Sequence, residues 1–266
     1  MARKQPVRDF SFSREMIKND TSTPELLKKY REGAWEAFQK LSLPTNKEED
    51  WRRTSLRGLD FGSLQLPNGT EKQDRSRMLE TGVIPENVLK EKTAALITPN
   101  GVEISGGADL MKQGIVFSSL AEAAQEHPQL LEKILGKVVR PDEGKFAAAA
   151  GAFSDQGLFV YVPKGVEVKD SLFGIVFAPG GGSAYFFHIL VYLEEGASLS
   201  YVQETLSPPD QDQASLTSEN LEVYVGANAK LSVTELQSYG QQVWSFGHKK
   251  ALVERDGYLE WDIGAL

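Results

Sequence analysis

HILVYLEEGASLSYV, residues 188–202, decides the architecture of the chain. Apolar residues alternate up to Leu193, Glu194-Glu195-Gly196 interrupts them, and alternation resumes from Leu199. Alternation on both sides of a glycine break reads as strand, corner, strand. The pattern returns in SENLEVYVGANAKLSV (218–233) and in HKKALVERDGYLEWDI (248–263). Aligned without gaps, the corners fall at Gly196, Gly226 and Asp256, and both intervals are 30 residues (226 − 196 and 256 − 226). LFVYVPKGVEVKD (158–170) is a looser copy whose Gly165 precedes Gly196 by 31. A fixed period of this length marks a repeat architecture.

The gapless alignment predicts two columns on one buried face, Val191–Leu221–Ala251 and Leu193–Val223–Val253. With two strands per period the expected fold is mainly β, a flattened solenoid whose coils bury their apolar faces on one another. Each large side chain so buried contributes about 1.5–3 kcal/mol. An antiparallel meander would also alternate and turn, but it requires no constant interval.

Upstream of Phe153 the pattern is helical. Thr23-Pro24 is a start signal, and Leu27, Tyr30, Ala34, Phe38 and Leu41 recur at helical spacing until LSLPTN (41–46) ends the run. Gly33 costs that helix about 1 kcal/mol relative to alanine. Asn46 and Glu49 are the expected capping pair of a short helix that carries Trp51 inward. Pro67–Arg77 reads as a loop, AALITPNGVEI (94–104) as a hairpin about Pro99-Asn100-Gly101, and GIVF (114–117) as a strand. Ser119 with Glu122 opens a helix, followed by a second helical face from Leu130, Leu131, Ile134 and Leu135. FAAAAGAF (146–153) is expected to close the first coil as a lid, and SPPDQDQAS (207–215) to be an insertion at a corner. The expected division is a helical and mixed N-terminal domain, 1–153, and a β-helix core, 154–266, open at its C-terminal end.

The totals exclude several classes. The 266 residues carry a formal net charge of −8 and no cysteine. No basic face for phosphates is visible, so nucleic acid is not an expected partner. Disulfides and thiolate metal sites are excluded. The N-terminus lacks the apolar core of a secretory signal, and the longest apolar run, Tyr185 to Leu193, is too short to span a bilayer. The chain is expected to be soluble and cytoplasmic, with no membrane partner.

No constellation reads as catalytic. PGGGSAYF (179–186) lacks the lysine and the helix that a phosphate loop needs, so it reads as a turn. His188 and His248 share a column with Ser218 between them. Two strand spacings put them about 9.6 Å apart, too far for a shared metal. His127, beside Pro128, reads as a helix-junction residue. Most of Glu194, Glu195, Glu204, Glu222, Glu235 and Glu254 occupy strand positions where outward charge is expected, as edge or surface charge. The expected catalytic, cofactor and metal residues are therefore none.

Four segments carry a resemblance: KEEDWRRTSL (47–56), FAAAAGAFSDQGLFVYVPKGVEV (146–168), EGASLSYVQE (195–204) and RDGYLEW (255–261). They resemble the SufB/SufD family of the SUF iron–sulfur assembly system. The segment Glu48-Glu49-Asp50-Trp51 and the absence of cysteine favour its SufD side. The resemblance implies a right-handed parallel β-helix between helical domains, in complex with a SufB-like subunit and a SufC-like ATPase. The iron–sulfur cluster would belong to the assembled complex, not to this chain. It implies further coils and C-terminal helices beyond Leu266, where the family's partner contacts lie, so no partner residue is assigned here. The exposed β-helix edge is expected to pair, with a partner or as a homodimer. The rival readings are a β-helix carbohydrate-active enzyme and a plain protein-interaction solenoid.

Overall fold

The computed structural model describes residues 7–68, 82–84 and 86–266. Of the loop expected at Pro67–Arg77, residues 69–77 lie outside the described residues. Eleven described strands form two sheets, ordered β11-β9-β7-β5-β1-β2 and β10-β8-β6-β4-β3. Their ranges are β1 Ala94–Thr98, β2 Gly101–Ser105, β3 Val116–Ser119, β4 Gln156–Val162, β5 Leu172–Phe177, β6 Ala184–Leu193, β7 Ser198–Leu206, β8 Ser215–Val225, β9 Lys230–Ser238, β10 Val243–Val253 and β11 Tyr258–Ala265. From β4 onward odd and even strands alternate between the sheets and every neighbour pair is parallel. The result is a solenoid of four two-strand coils, and the antiparallel meander is excluded.

The register corrects the predicted columns. Leu193 faces Val225 and then Val253, while Val191 faces Val223 and then Ala251. The third corner is therefore Asn228, not Gly226. Gly165, Gly196, Asn228 and Asp256 are the corner residues with positive φ (72°, 68°, 57° and 58°), a region that Gly, Asn and Asp enter most readily. Their spacings are 31, 32 and 28 residues (196 − 165, 228 − 196, 256 − 228). The connection from β7 to β8 is four residues longer than that from β9 to β10, and the uniform 30 was the mean of 32 and 28. A two-residue error keeps every side chain on its proper face, so the alternation concealed it. Gly226 has its own cause: a Cβ there would lie 2.8 Å from the backbone of Glu194 and of Glu195. Ala251 and Val253, in the last coil, are exposed; Val191, Leu193, Val223 and Val225 are buried.

The N-terminal part wraps this stack. Its helices are α1 Glu25–Lys40, α2 Glu86–Glu91, α3 Ala108–Lys112, α4 Leu120–Glu126, α5 Pro128–Leu131 and α6 Lys145–Phe153. Leu27, Ala34 and Phe38 are buried along α1 as their spacing requires, although Thr23 does not cap it. The hairpin β1–β2 turns on Pro99 and Asn100, and β1 continues the first sheet parallel to β5. The Ser119 hydroxyl accepts from the Glu122 amide and opens α4, and His127 is the junction between α4 and α5. The second helical face is cut short because Gly136 turns left-handed (φ 67°). Asn46 caps nothing; Glu48 instead accepts from the Thr45 amide at 2.8 Å. Trp51 is half-buried on Phe146 and Phe246.

The helix α6 is not an end lid. It lies along the outer face of the β10-β8-β6 sheet, where Ala147 accepts from Asn220, Phe153 meets Phe186 and Phe146 stacks on Phe246 at 4.5 Å. All nine of its residues are buried, which is why five of them are alanine. The first coil is instead closed by β1 and β3. The insertion after β7 falls where expected, and Gln211 on it accepts from the Gly181 amide of the PGGG turn.

Candidate functional site

Ionisable groups enter the fold in two places, inside the solenoid and beneath its N-terminal cover. Inside, the lumen is unequal. Its half near the Gly165–Asp256 corners is aliphatic: Val160, Val162, Val191, Leu193, Val223, Val225, Ala229 and Leu231. The half near the opposite corners is polar. There β7 contributes Gln203, β8 Glu219, β9 Glu235, β10 Lys249 and β11 Trp261, so every strand of the last coils supplies one group. Lys249 Nζ is ion-paired with both Glu219 and Glu235. Gln203 Nε2 donates to Glu219 at 2.8 Å, and Trp261 Nε1 donates to Glu235 at 2.5 Å. Beside them the hydroxyls of Tyr185 and Thr217, paired in register, have no hydrogen-bond partner among the described residues.

One ammonium serves two carboxylates, and their charges act on one another. Burial pulls the Lys249 amine toward neutrality, but Glu219 and Glu235 together outweigh it and hold its pKa above the usual lysine value. Burial raises the Glu235 carboxyl, and the Glu219 charge raises it further, against the pull of Lys249 and Trp261; the net direction is up. An amine held protonated is not a nucleophile and cannot form a Schiff base. The cluster ties both sheets together across the lumen.

Beneath the N-terminal cover lie two more buried carboxylates. Glu222 on β8 accepts from the amides of Gly136 (2.7 Å), Val138 (2.8 Å) and Val139 (3.0 Å) and meets His188 Nε2 at 2.8 Å. Glu204 on β7 accepts from the amides of Val83 and Ile84, at 2.6 and 2.8 Å, and from the Ser238 hydroxyl. Each carboxylate pins one backbone segment of the N-terminal part onto an outer sheet face, with charge-assisted bonds that are stronger than neutral ones.

These placements correct the reading of most of the six glutamates as outward surface charge. Glu204, Glu222 and Glu235 are 0%, 0% and 1% exposed; Glu194, Glu195 and Glu254 are not buried. Glu204 and Glu222 do point outward, but the N-terminal part covers them, and strand parity does not report a cover. Glu235 points inward. Lys249 and Glu219, also in phase with the buried Leu221, were missed. Their signal was a charge at an inward position of an otherwise apolar row.

The residue between His188 and His248 is Asn220, not Ser218. His188 is committed to Glu222, whereas His248 lies by Glu143 and Gly144, where burial lowers its pKa, Glu143 opposes that and Lys250 adds to it. Among the described residues no group of three or more His, Cys, Asp or Glu could hold a metal ion. No described helix is long and apolar enough to cross a membrane.

With a four-coil parallel solenoid under a helical cover in view, two further observations decide the family. Residues 2–172 match the SufBD protein N-terminal region, and residues 176–266 match the SufBD core domain of the SUF system for FeS cluster assembly. The chain belongs to the SufBD family. An iron–sulfur cluster assembly SufBD family protein of Staphylococcus aureus (strain USA300) is 31% identical over 208 residues, 77% of this chain and 41% of that protein. The iron–sulfur cluster assembly protein SufD of Bacillus subtilis (strain 168) is 29% identical over 171 residues, 64% of this chain and 38% of that protein. This SufBD chain thus spans about two fifths of the length of these curated relatives.

Proposed function

We propose that this SufBD chain is a non-enzymatic scaffold of iron–sulfur cluster assembly, the SufD-like half of a complex with a SufB-like subunit and a SufC-like ATPase. The observation that carries the non-enzymatic part is the Lys249–Glu219–Glu235 cluster. The strongest assembly of ionisable groups inside the solenoid is consumed in holding its last coils together. The names of the relatives carry the assembly part. In this reading the cluster is cargo, and the chain's donors do not suit it: there is no cysteine, and His188 is engaged by Glu222. A carbohydrate-active solenoid is disfavoured because the carboxylates that do cluster, Glu219 and Glu235, are buried and held by Lys249, Gln203 and Trp261.

Association is then the chain's contribution. The strands β10 and β11 are the edges of their sheets in this structure, and Leu252, Val253, Tyr258 and Ile263 are exposed there. We assign the SufB-like contact, or a homodimer, to this edge, and ATPase contact to parts of the relatives outside the matched stretch. A cytoplasmic location and a division at residues 153 and 154 belong to the same proposal. The test is affinity purification of the tagged chain after co-expression with a SufB-like and a SufC-like protein, plus anaerobic incubation of the isolated chain with iron and sulfide. Co-purification of the SufB-like protein without the ATPase, and no stoichiometric cluster on the isolated chain, are expected. A stoichiometric cluster, or indifference to the SufB-like protein, would overturn the proposal.

A further inference from the structure

The loop that follows the short 3-10 helix Glu49–Trp51 reads WRRTSLRG, residues 51–58. In a chain of net charge −8 it brings three arginines to one place. Arg52, Arg53 and Arg57 all line a cavity of about 480 Å³, and no aspartate or glutamate is among its described lining residues. Of the acids next to the loop in sequence, Glu48 accepts from the Thr45 amide, Glu49 pairs with Arg52 at 3.5 Å and Asp60 pairs with Arg8 at 3.9 Å, while Asp50 is exposed. Among the described residues Arg53 and Arg57 form no ion pair, and both are exposed. Two arginines without a carboxylate partner among the described residues, both lining one cavity, offer forked donors to a tetrahedral or planar anion.

The cavity is held open by buried neighbours. Leu56 and Leu59, each 5% exposed, flank Arg57 and seat the loop on the aromatic cluster of Phe61, Phe146 and Phe186. Trp51, directly before Arg52, stacks on Phe146 at 5.5 Å. The remaining lining divides by chemistry. Thr45, Thr54 and Ser55 supply hydroxyls beside the arginines, while Val7, Leu43 and Leu56 make an apolar wall. Hydroxyls and guanidinium groups suit a phosphate, and the wall suits a carbon framework attached to it. A volume of this size holds a nucleotide-sized molecule, within the range of about 300–1,000 Å³ usual for small-molecule sites.

We propose that this cavity is a binding site for a small organic phosphate, with Arg53 and Arg57 as the phosphate ligands and Val7, Leu43 and Leu56 as the seat of its apolar part. The site lies in the N-terminal part, away from the lumen cluster, and its existence does not depend on the scaffold role. Isothermal titration of the full 266-residue chain with ADP, pyrophosphate and adenosine tests it. Saturable ADP binding is expected, with pyrophosphate weaker and adenosine not bound. The double variant Arg53→Gln/Arg57→Gln should weaken ADP binding at least tenfold, and raising the salt should weaken it in the unaltered chain. Arg8→Gln, an arginine outside the cavity, should leave it unchanged. Circular dichroism of the double variant confirms folding, since both side chains are exposed. Absence of saturable ADP binding, equal binding of adenosine, or unchanged affinity in the double variant would overturn the assignment. So would binding to phosphatidylglycerol vesicles without binding to ADP, which would mark a lipid surface in place of a soluble ligand.

Discussion

Replacing Glu222 measures how firmly the N-terminal part is fastened to the solenoid. The carboxylate is 0% exposed and faces four donors: the amides of Gly136, Val138 and Val139, and His188 Nε2. A hydrogen bond to a charged group contributes about 1.5–3 kcal/mol, and a buried donor left without a partner costs about 1–3 kcal/mol. The four act through one group, so their energies do not add. Glu222→Ala is therefore expected to cost about 3–5 kcal/mol, the scale for removing one member of a buried charged network. Glu222→Gln keeps one acceptor oxygen but turns an amide N–H₂ toward donors, and should cost about 2–4 kcal/mol. Urea denaturation followed by tryptophan fluorescence gives the stabilities, and amide hydrogen exchange of Gly136, Val138 and Val139 localises the effect. In both variants these three amides should lose protection before the strands do. A loss below about 1 kcal/mol for Glu222→Ala, or unchanged protection of the three amides, would refute the fastening role.

Three other perturbations address the solenoid itself. Glu235 has a folded-state pKa above its ordinary value of 4.5, so the folded chain holds a proton that the unfolded chain releases; stability should fall as pH rises from about 4.5 through the folded value, and Glu235→Gln should flatten that part of the urea-midpoint profile. Gly226→Ala places a Cβ 2.8 Å from the Glu194 and Glu195 backbone and should cost about 1–3 kcal/mol, whereas Asn228→Gly relieves a left-handed residue and should be neutral or stabilising by up to about 1 kcal/mol; paired denaturation curves distinguish the two sites. Val223→Asp puts a charge without a partner at a 0% exposed lumen position and should cost several kcal/mol, on the order of 3–5, read as loss of soluble folded chain or a collapsed urea midpoint.

What the sequence made legible was periodicity, and what it concealed was register and cover. Alternation from His188 to Ile263 was enough to deduce stacked strands and a parallel order. It could not distinguish two steps of 30 from one of 32 and one of 28, because side chains two residues apart lie on the same face. The SPPDQDQAS insertion was recognised, but its four extra residues had to be subtracted before the columns were drawn. Local chemistry was readable where it was self-contained: the turn at Pro99-Asn100, the Ser119 cap and the junction at His127 need only near neighbours. Glu204 and Glu222 depend on amides 83 to 121 residues away, and no local pattern announces such a partner. For the lumen cluster the clue was present, since Glu219, Glu235 and Lys249 interrupt inward-facing apolar rows, but its meaning required knowing that all three rows converge.

The long reach of those two carboxylates also sets a timetable for synthesis. The Ile84 amide leaves the ribosome 120 residues before Glu204, and the Gly136 amide 86 residues before Glu222. At about 5–20 residues per second, each segment waits for roughly 4–24 s before its acceptor exists. Throughout that interval these two backbone segments lack their carboxylate, although β1 and β3 can already pair with β5 and β4. The two clasps can close only once β7 and β8 have emerged, so segments made early are fastened late. A nascent chain stalled before Glu204 should therefore leave residues 83–84 and 136–139 open to protease, and one released after Glu222 should shield them.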